Sequence, residues 1–278
     1  HRGTLFPYTT LFRSYEKRDS LKLEEDQARI LELTYRSFAR NGANLPKEKK
    51  EEFRSIKKEL SQLTLKFGQN VLEATNKFFI NITDSTQLAG LPEFVKEGAA
   101  AEAKERKLEG WVITLQGPSY IPFMQYSENR ELKEKLWKAY NSKCLDGELS
   151  NQENIKKIVD LRLKLANLLG YPTYADYVLE ENMAKTPAIV NSFLDDLLAK
   201  SMPFAKKDLA EIQAYAEKSG FKGKLMPWDF SYYSEKYKSE KYSLNDELLK
   251  PYFKLENVQA AVFALADSLY GIKFTENT

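Results

Sequence analysis

The chain has 278 residues, 42 Lys and Arg against 40 Asp and Glu, and 29% charged residues. That length admits one or two domains with a sizeable core, and a net charge of +2 gives no electrostatic case for nucleic acid or an anionic membrane surface. A single cysteine, Cys144, excludes an intrachain disulfide and every two-cysteine zinc or redox motif, and the single histidine is residue 1, so the body of the chain holds no histidine base, triad or His-rich metal site.

At the N-terminus, residues 1–14 fit a signal peptide poorly, because Pro7 and the Thr9-Thr10 pair interrupt the apolar stretch and no small-residue cleavage site follows. Thr4 to Ser14 instead matches, codon for codon, the translation of a common short-read sequencing adapter. The expectation is that residues 1–14 are assembly contamination and that both ends of the chain are cut. The longest uninterrupted apolar run, 260–266, is far too short to span a bilayer.

From Leu23 onward the pattern is helical. Residues 24–40 carry Ile30, Leu31, Tyr35 and Phe38, with Gly42 placed to close the helix. After Asn44-Leu45-Pro46, the apolar positions Phe53, Ile56, Leu60, Leu63, Phe67, Val71 and Ala74 recur every three or four residues and form one stripe. Two short aromatic and β-branched runs, 78–83 and 110–115, read as strands on either side of a short helix at 92–107. Residues 117–122, with two prolines, read as a loop leading to a subdomain boundary near Tyr126.

Further helices follow. Ser127 is the expected cap of one carrying Leu132, Leu136 and Tyr140, and Asn151 or Asn154 starts the next, which stops at Gly170. Thr173 with Asp176 resembles a capping box for a helix running to Met183. Thr186-Pro187 opens a helix that turns Val190, Phe193, Leu194 and Leu197 inward, and Ala205, Leu209, Ile212 and Ala216 belong to another. Residues 225–241 are less regular and dense in aromatics, and a last helix at 257–270 ends at Gly271.

No phosphate-cradling glycine loop, dinucleotide fingerprint or nucleophile elbow is present. The acid pairs Glu180-Glu181 and Asp195-Asp196 diverge by about 100° on a helix and read as solvated surface. The stretch unlike a plain bundle is Pro227-Trp228-Asp229-Phe230 with the tyrosines after it. Its Trp and Tyr faces suit either a wall for an extended peptide or carbohydrate, or simple packing of this segment onto the helices.

The segments LAGLPEFVKEGAAAEA, EGWVITLQGPSYIPFMQYSENRELKEKLWKAY, DLRLKLANLLGYPTYADYVLEENMAKTP, LMPWDFSYYSEKYK and LLKPYFKLENV, in this order, resemble the thimet oligopeptidase/peptidyl-dipeptidase family of zinc metallopeptidases from Leu23 to the last residue, with a lean toward bacterial peptidyl-dipeptidases. The resemblance implies a mainly α clamshell of zincin type with a small two-strand β element, and a deep channel for short unstructured peptides. Residues 15–125 would be its N-terminal helical subdomain and 126–278 the first, incomplete part of the catalytic domain.

Zinc would belong to the parent enzyme and lie on a His-Glu-x-x-His helix that this sequence does not contain, so no catalytic or metal residue carries over and the piece itself is expected to bind no zinc and to be inactive. Trp228, Tyr232 and Tyr233 are the candidates for lining the channel. Lys143 departs from the family, whose members usually show arginine there. The expected partners are short peptides, with no nucleic acid, no membrane and a monomeric parent. The expected compartment is the cytoplasm, and a periplasmic relative would look the same. The competing reading is a non-catalytic helical peptide-binding or scaffold module.

Overall fold

Residues 6–243 and 250–275 are described by a computed structural model of the chain. Backbone contacts divide the chain into two compact units, residues 1–78 with 140–203 and residues 79–139 with 204–278. Both are dominated by α-helix, and the other described secondary structure is one two-stranded sheet and three short 3-10 helices.

In the first unit, helix α1 (Phe6–Glu16) lies on α2 (Glu25–Arg40), where Tyr15 stacks on Tyr35 with ring centres 3.6 Å apart. The apolar stripe at 53–74 belongs to α3 (Lys47–Lys77), which packs against α7 (Gln152–Leu168). Phe53, Ile56, Leu161 and Leu165 form the buried centre of that contact, with Leu60 and Leu63 at its edge. Further along, the seam turns polar. Asn151 Oδ1 accepts from Asn70 Nδ2 at 3.0 Å and from Asn154 Nδ2 at 2.8 Å, while Phe67 of the expected stripe is partly exposed. Every buried amide there has a partner, so the polar substitution is tolerated inside the contact. Lys143 lies over the Tyr140 ring, with Nζ 3.4 Å from Thr75 Oγ1.

The capping box at Thr173 and Asp176 is formed, but its helix α8 (Tyr174–Leu179) is shorter than expected, and Met183 is fully exposed. Arg40, buried at the end of α2, is ion-paired with both Glu180 and Glu181, and Arg36 Nε reaches Glu181 at 3.0 Å. Both acids stay exposed, as the surface reading expects, and in addition they pair with one buried guanidinium.

In the second unit, β1 (Phe79–Ile82) pairs antiparallel with β2 (Trp111–Thr114), Ile80 opposite Ile113. Gly110 permits the approach: its φ is +87°, and a Cβ there would come within 2.1 Å of the Ile82 carbonyl oxygen. Helix α4 (Glu93–Glu105) covers β2 through Val95, Ala99 and Ala103, spaced four residues apart on one face.

The expected loop at 117–122 is helix α5 (Gly117–Tyr126) instead. Pro118 sits in the first turn, where amide hydrogens lack intrahelical acceptors anyway, and burial of Phe123 and Met124 outweighs the interior Pro122. Ser127 then ends α5, and Asn129 caps α6 (Arg130–Asn141), its Oδ1 accepting from the Leu132 amide at 3.1 Å.

Two helices expected between 187 and 216 are one, α9 (Pro187–Lys218), which continues through Pro203. Thr186 Oγ1 accepts from the Ile189 amide as expected, whereas Phe193, Leu194 and Leu197 are exposed among the described residues, not turned inward. The less regular, aromatic-dense segment is a continuous helix, α10 (Pro227–Tyr242). Helix α11 (Leu255–Tyr270) closes on Gly271 in the left-handed conformation. No helix among the described residues is long and apolar enough to cross a membrane.

Candidate functional site

The aromatic segment singled out in the sequence is built around the first turn of α10. Pro227 opens the helix, where its fixed φ suits and its missing N–H costs nothing. Asp229, two residues on, folds back so that Oδ2 accepts from the Met226 amide at 3.0 Å. The same carboxylate is taken in a fork by Arg130 of α6, with Nε 2.8 Å from Oδ1 and Nη2 2.9 Å from Oδ2. Asp229 is only 1% exposed, so this pair satisfies a charge that could not otherwise be buried. Binding to Asp229 also raises the Arg130 pKa above its ordinary value.

One turn along α6, Lys133 is 2% exposed, with Nζ 3.9 Å from the centre of the Tyr232 ring. Burial lowers its pKa to about 8, and the Asp229 carboxylate only partly opposes that. Lys236 Nζ lies 4.6 Å from the same ring and its pKa is raised, chiefly by a hydrogen bond with the Tyr232 hydroxyl. Trp228 packs against Trp137 at 5.7 Å, and its ring also lies 5.7 Å from the Arg130 guanidinium.

The three candidate channel residues therefore occupy different environments. Trp228 and Tyr232 are buried, and the Trp228 Nε1–H makes no hydrogen bond. Tyr233 is half-buried, edge-on to Phe221, and burial raises its pKa. Tyr232 lines a cleft of about 210 Å³ that it shares with Tyr126, Glu128, Glu235 and Lys236. Sequence reasoning missed Asp229, Arg130 and Lys133. An acid two residues after a helix-opening proline is a legible capping signal, but the partnership with Arg130 spans 99 residues and leaves no local trace.

The donor chemistry does not fit a zinc ion. Among the described residues no group of three or more His, Cys, Asp or Glu side chains could hold a metal, and the one histidine, His1, lies outside them. The charged groups of this cluster are consumed in pairing and packing, so what it can do is hold a rigid aromatic and cationic wall.

The description "Peptidase family M3" matches residues 123–278, more than half the chain, and the chain belongs to that family. It is 37% identical to oligopeptidase A of Escherichia coli over 259 residues, 91% of this chain. It is 36% identical to the probable cytosolic oligopeptidase A of Arabidopsis thaliana over 92% of its length, and 32% identical to the dipeptidyl carboxypeptidase of E. coli over 94%. Identity is thus higher to these oligopeptidases than to the dipeptidyl carboxypeptidase, opposite to the lean within the family drawn from motifs. The chain spans 38–39% of the length of these three relatives.

Proposed function

We propose that this chain is part of a longer zinc-dependent peptidase that hydrolyses short unstructured peptides, and that the residues described here hold no catalytic or metal-binding group. The observation that carries this reading is the family match over residues 123–278 in a chain that spans 38% of the length of oligopeptidase A. The start of that match, at 123, also supports residues 126–278 as the first part of the catalytic domain and 15–125 as the subdomain before it. The parent is read as a cytoplasmic monomer, the compartment supported by the relative named as cytosolic. Zinc would be held by chain beyond residue 278.

Tyr232 is the one candidate proposed to meet substrate, because it borders the cleft, while Trp228 and Tyr233 would hold its helix in place. The test begins with the genomic DNA past codon 278. An in-frame His-Glu-x-x-His within a few hundred codons supports the enzyme, and an immediate native stop codon would leave the helical peptide-binding or scaffold module. The gene product that includes that motif should cleave a quenched oligopeptide in a chelator-sensitive way. Tyr232→Ala in that protein should raise KM more than it lowers kcat.

A further inference from the structure

We propose that a groove between α3, α7 and α8 in the first unit binds the carboxylate of a peptide whose neighbouring side chains are apolar. The groove has a volume of about 540 Å³ and is the largest of the described cavities, within the range of small-ligand sites. Helix α3 contributes Lys57, Leu60, Ser61, Thr64 and Leu65, which share one face at three- and four-residue spacing. Arg162 and Leu165 come from α7, and Tyr174 and Tyr177 from α8.

Two features define it: a pair of cations that border one cavity, and the surface on which they rest. Some basic residues of these helices are neutralised one turn away: Arg54 pairs with Glu51 at 2.9 Å, Lys77 with Glu73 at 2.6 Å and Lys156 with Glu153 at 2.7 Å. Lys57 and Arg162 have no such option. The residues three and four positions from Lys57 are Phe53, Arg54, Leu60 and Ser61, and those around Arg162 are Ile158, Val159, Leu165 and Ala166. Among the described residues neither cation has an ion pair, and both border the same cavity.

The second feature is what lies beneath them. The floor is apolar, Leu60 and buried Leu165 with Leu65 at the rim, and the Arg162 guanidinium lies 5.2 Å from the centre of the Tyr174 ring. Stacking of this kind pre-orients a guanidinium and leaves its edge for a planar, bidentate acceptor. A carboxylate is such an acceptor, Lys57 supplies a second positive charge, and an attached apolar side chain would cover the leucines. A bare inorganic anion would leave that floor wet. The site is complete within this unit, and it stands whether or not the parent is a peptidase.

The experiment is calorimetric titration of the chain at low salt with three probes: acetyl-Leu-Phe with a free terminal carboxylate, the same peptide amidated, and amidated acetyl-Asp-Leu-Phe. The free acid should bind and the neutral amide should bind at least ~10-fold more weakly, the scale of a lost charge-assisted hydrogen bond. Binding of the Asp peptide extends the site to internal acids, and its failure restricts the site to chain ends. Arg162→Gln should weaken the free acid ~10-fold and Lys57→Met about 3-fold, with unchanged far-ultraviolet dichroism, since both side chains are exposed. Arg162→Lys should recover only part of the loss. No binding of the free acid, equal binding of the amide, or full affinity in the Lys57→Met, Arg162→Gln double variant would overturn the proposal.

Discussion

Arg130 and Asp229, 99 residues apart, form a two-point ion pair in which the acid is buried and the arginine is nearly half exposed. That asymmetry decides which partner matters more. Removing the arginine strands a desolvated carboxylate, whereas removing the acid lets the guanidinium return to water. Arg130→Ala should cost about 3 kcal/mol and Asp229→Ala about 2 kcal/mol, the latter combining the lost bonds and the lost cap. Urea unfolding of the two variants checks the order. Equal losses, or a larger loss for Asp229→Ala, would contradict this account of the pair.

Lys133 makes folding pH-dependent. Its ordinary pKa is 10.5 and burial lowers it to about 8, so between those values the folded chain holds fewer protons than the unfolded one. The cost of burying the cation is therefore full below pH 8 and is relieved as pH rises. Relative to Lys133→Met, the wild-type chain should gain about 2 kcal/mol between pH 7.5 and 9.5. The window stops short of the region where Tyr233 and Lys236, both with raised values, begin to titrate. Parallel stability curves for the two proteins would show that Lys133 is not the titrating group.

Local patterns account for α3, for the strands around 80 and 112 and for the Thr173–Asp176 capping box, since each depends on residues within a turn or two of one another. What stayed hidden depends on distant burial. Pro118 and Pro122 read as loop, yet Phe123 lies at the centre of a helix with no exposed surface. The aromatics of α10 are spread around the helix and show no single apolar face, because Trp228 meets Trp137 while Tyr233 meets Phe221. Glu180 and Glu181 look idle until Arg40 arrives from α2. In the candidate site the aromatic residues could be read from sequence, and the Asp229–Arg130–Lys133 frame behind them could not.

The two-stranded sheet depends on Gly110. Its φ of +87° and the Ile82 carbonyl oxygen, 2.1 Å from where a Cβ would lie, both oppose any side chain. Gly110→Ala should therefore cost more than about 3 kcal/mol, with the β1–β2 pairing displaced. Gly147 provides the control, because its φ of +77° is similar but open space surrounds it. Gly147→Ala should cost only about 1 kcal/mol. Thermal melts of both variants, with amide exchange read at Ile80 and Ile113, separate steric exclusion from backbone strain.

Trp228, Tyr232 and Tyr233 can be told apart by stability before any substrate is known. Trp228 and Tyr232 are each 8% exposed, and truncation leaves a cavity beneath Trp137 in one case and beside Lys133 in the other. Trp228→Ala and Tyr232→Ala should each cost about 3–4 kcal/mol, and the half-buried Tyr233→Ala about half that. Trp228→Phe is more informative. It removes the one buried indole N–H that has no partner while keeping most of the apolar contact, so its net cost should stay within about 1 kcal/mol. A large loss on Trp228→Phe, measured by denaturant midpoint, would mean that this N–H is bonded in solution, to a water or to a group that Trp228 meets only when the chain is part of a longer protein.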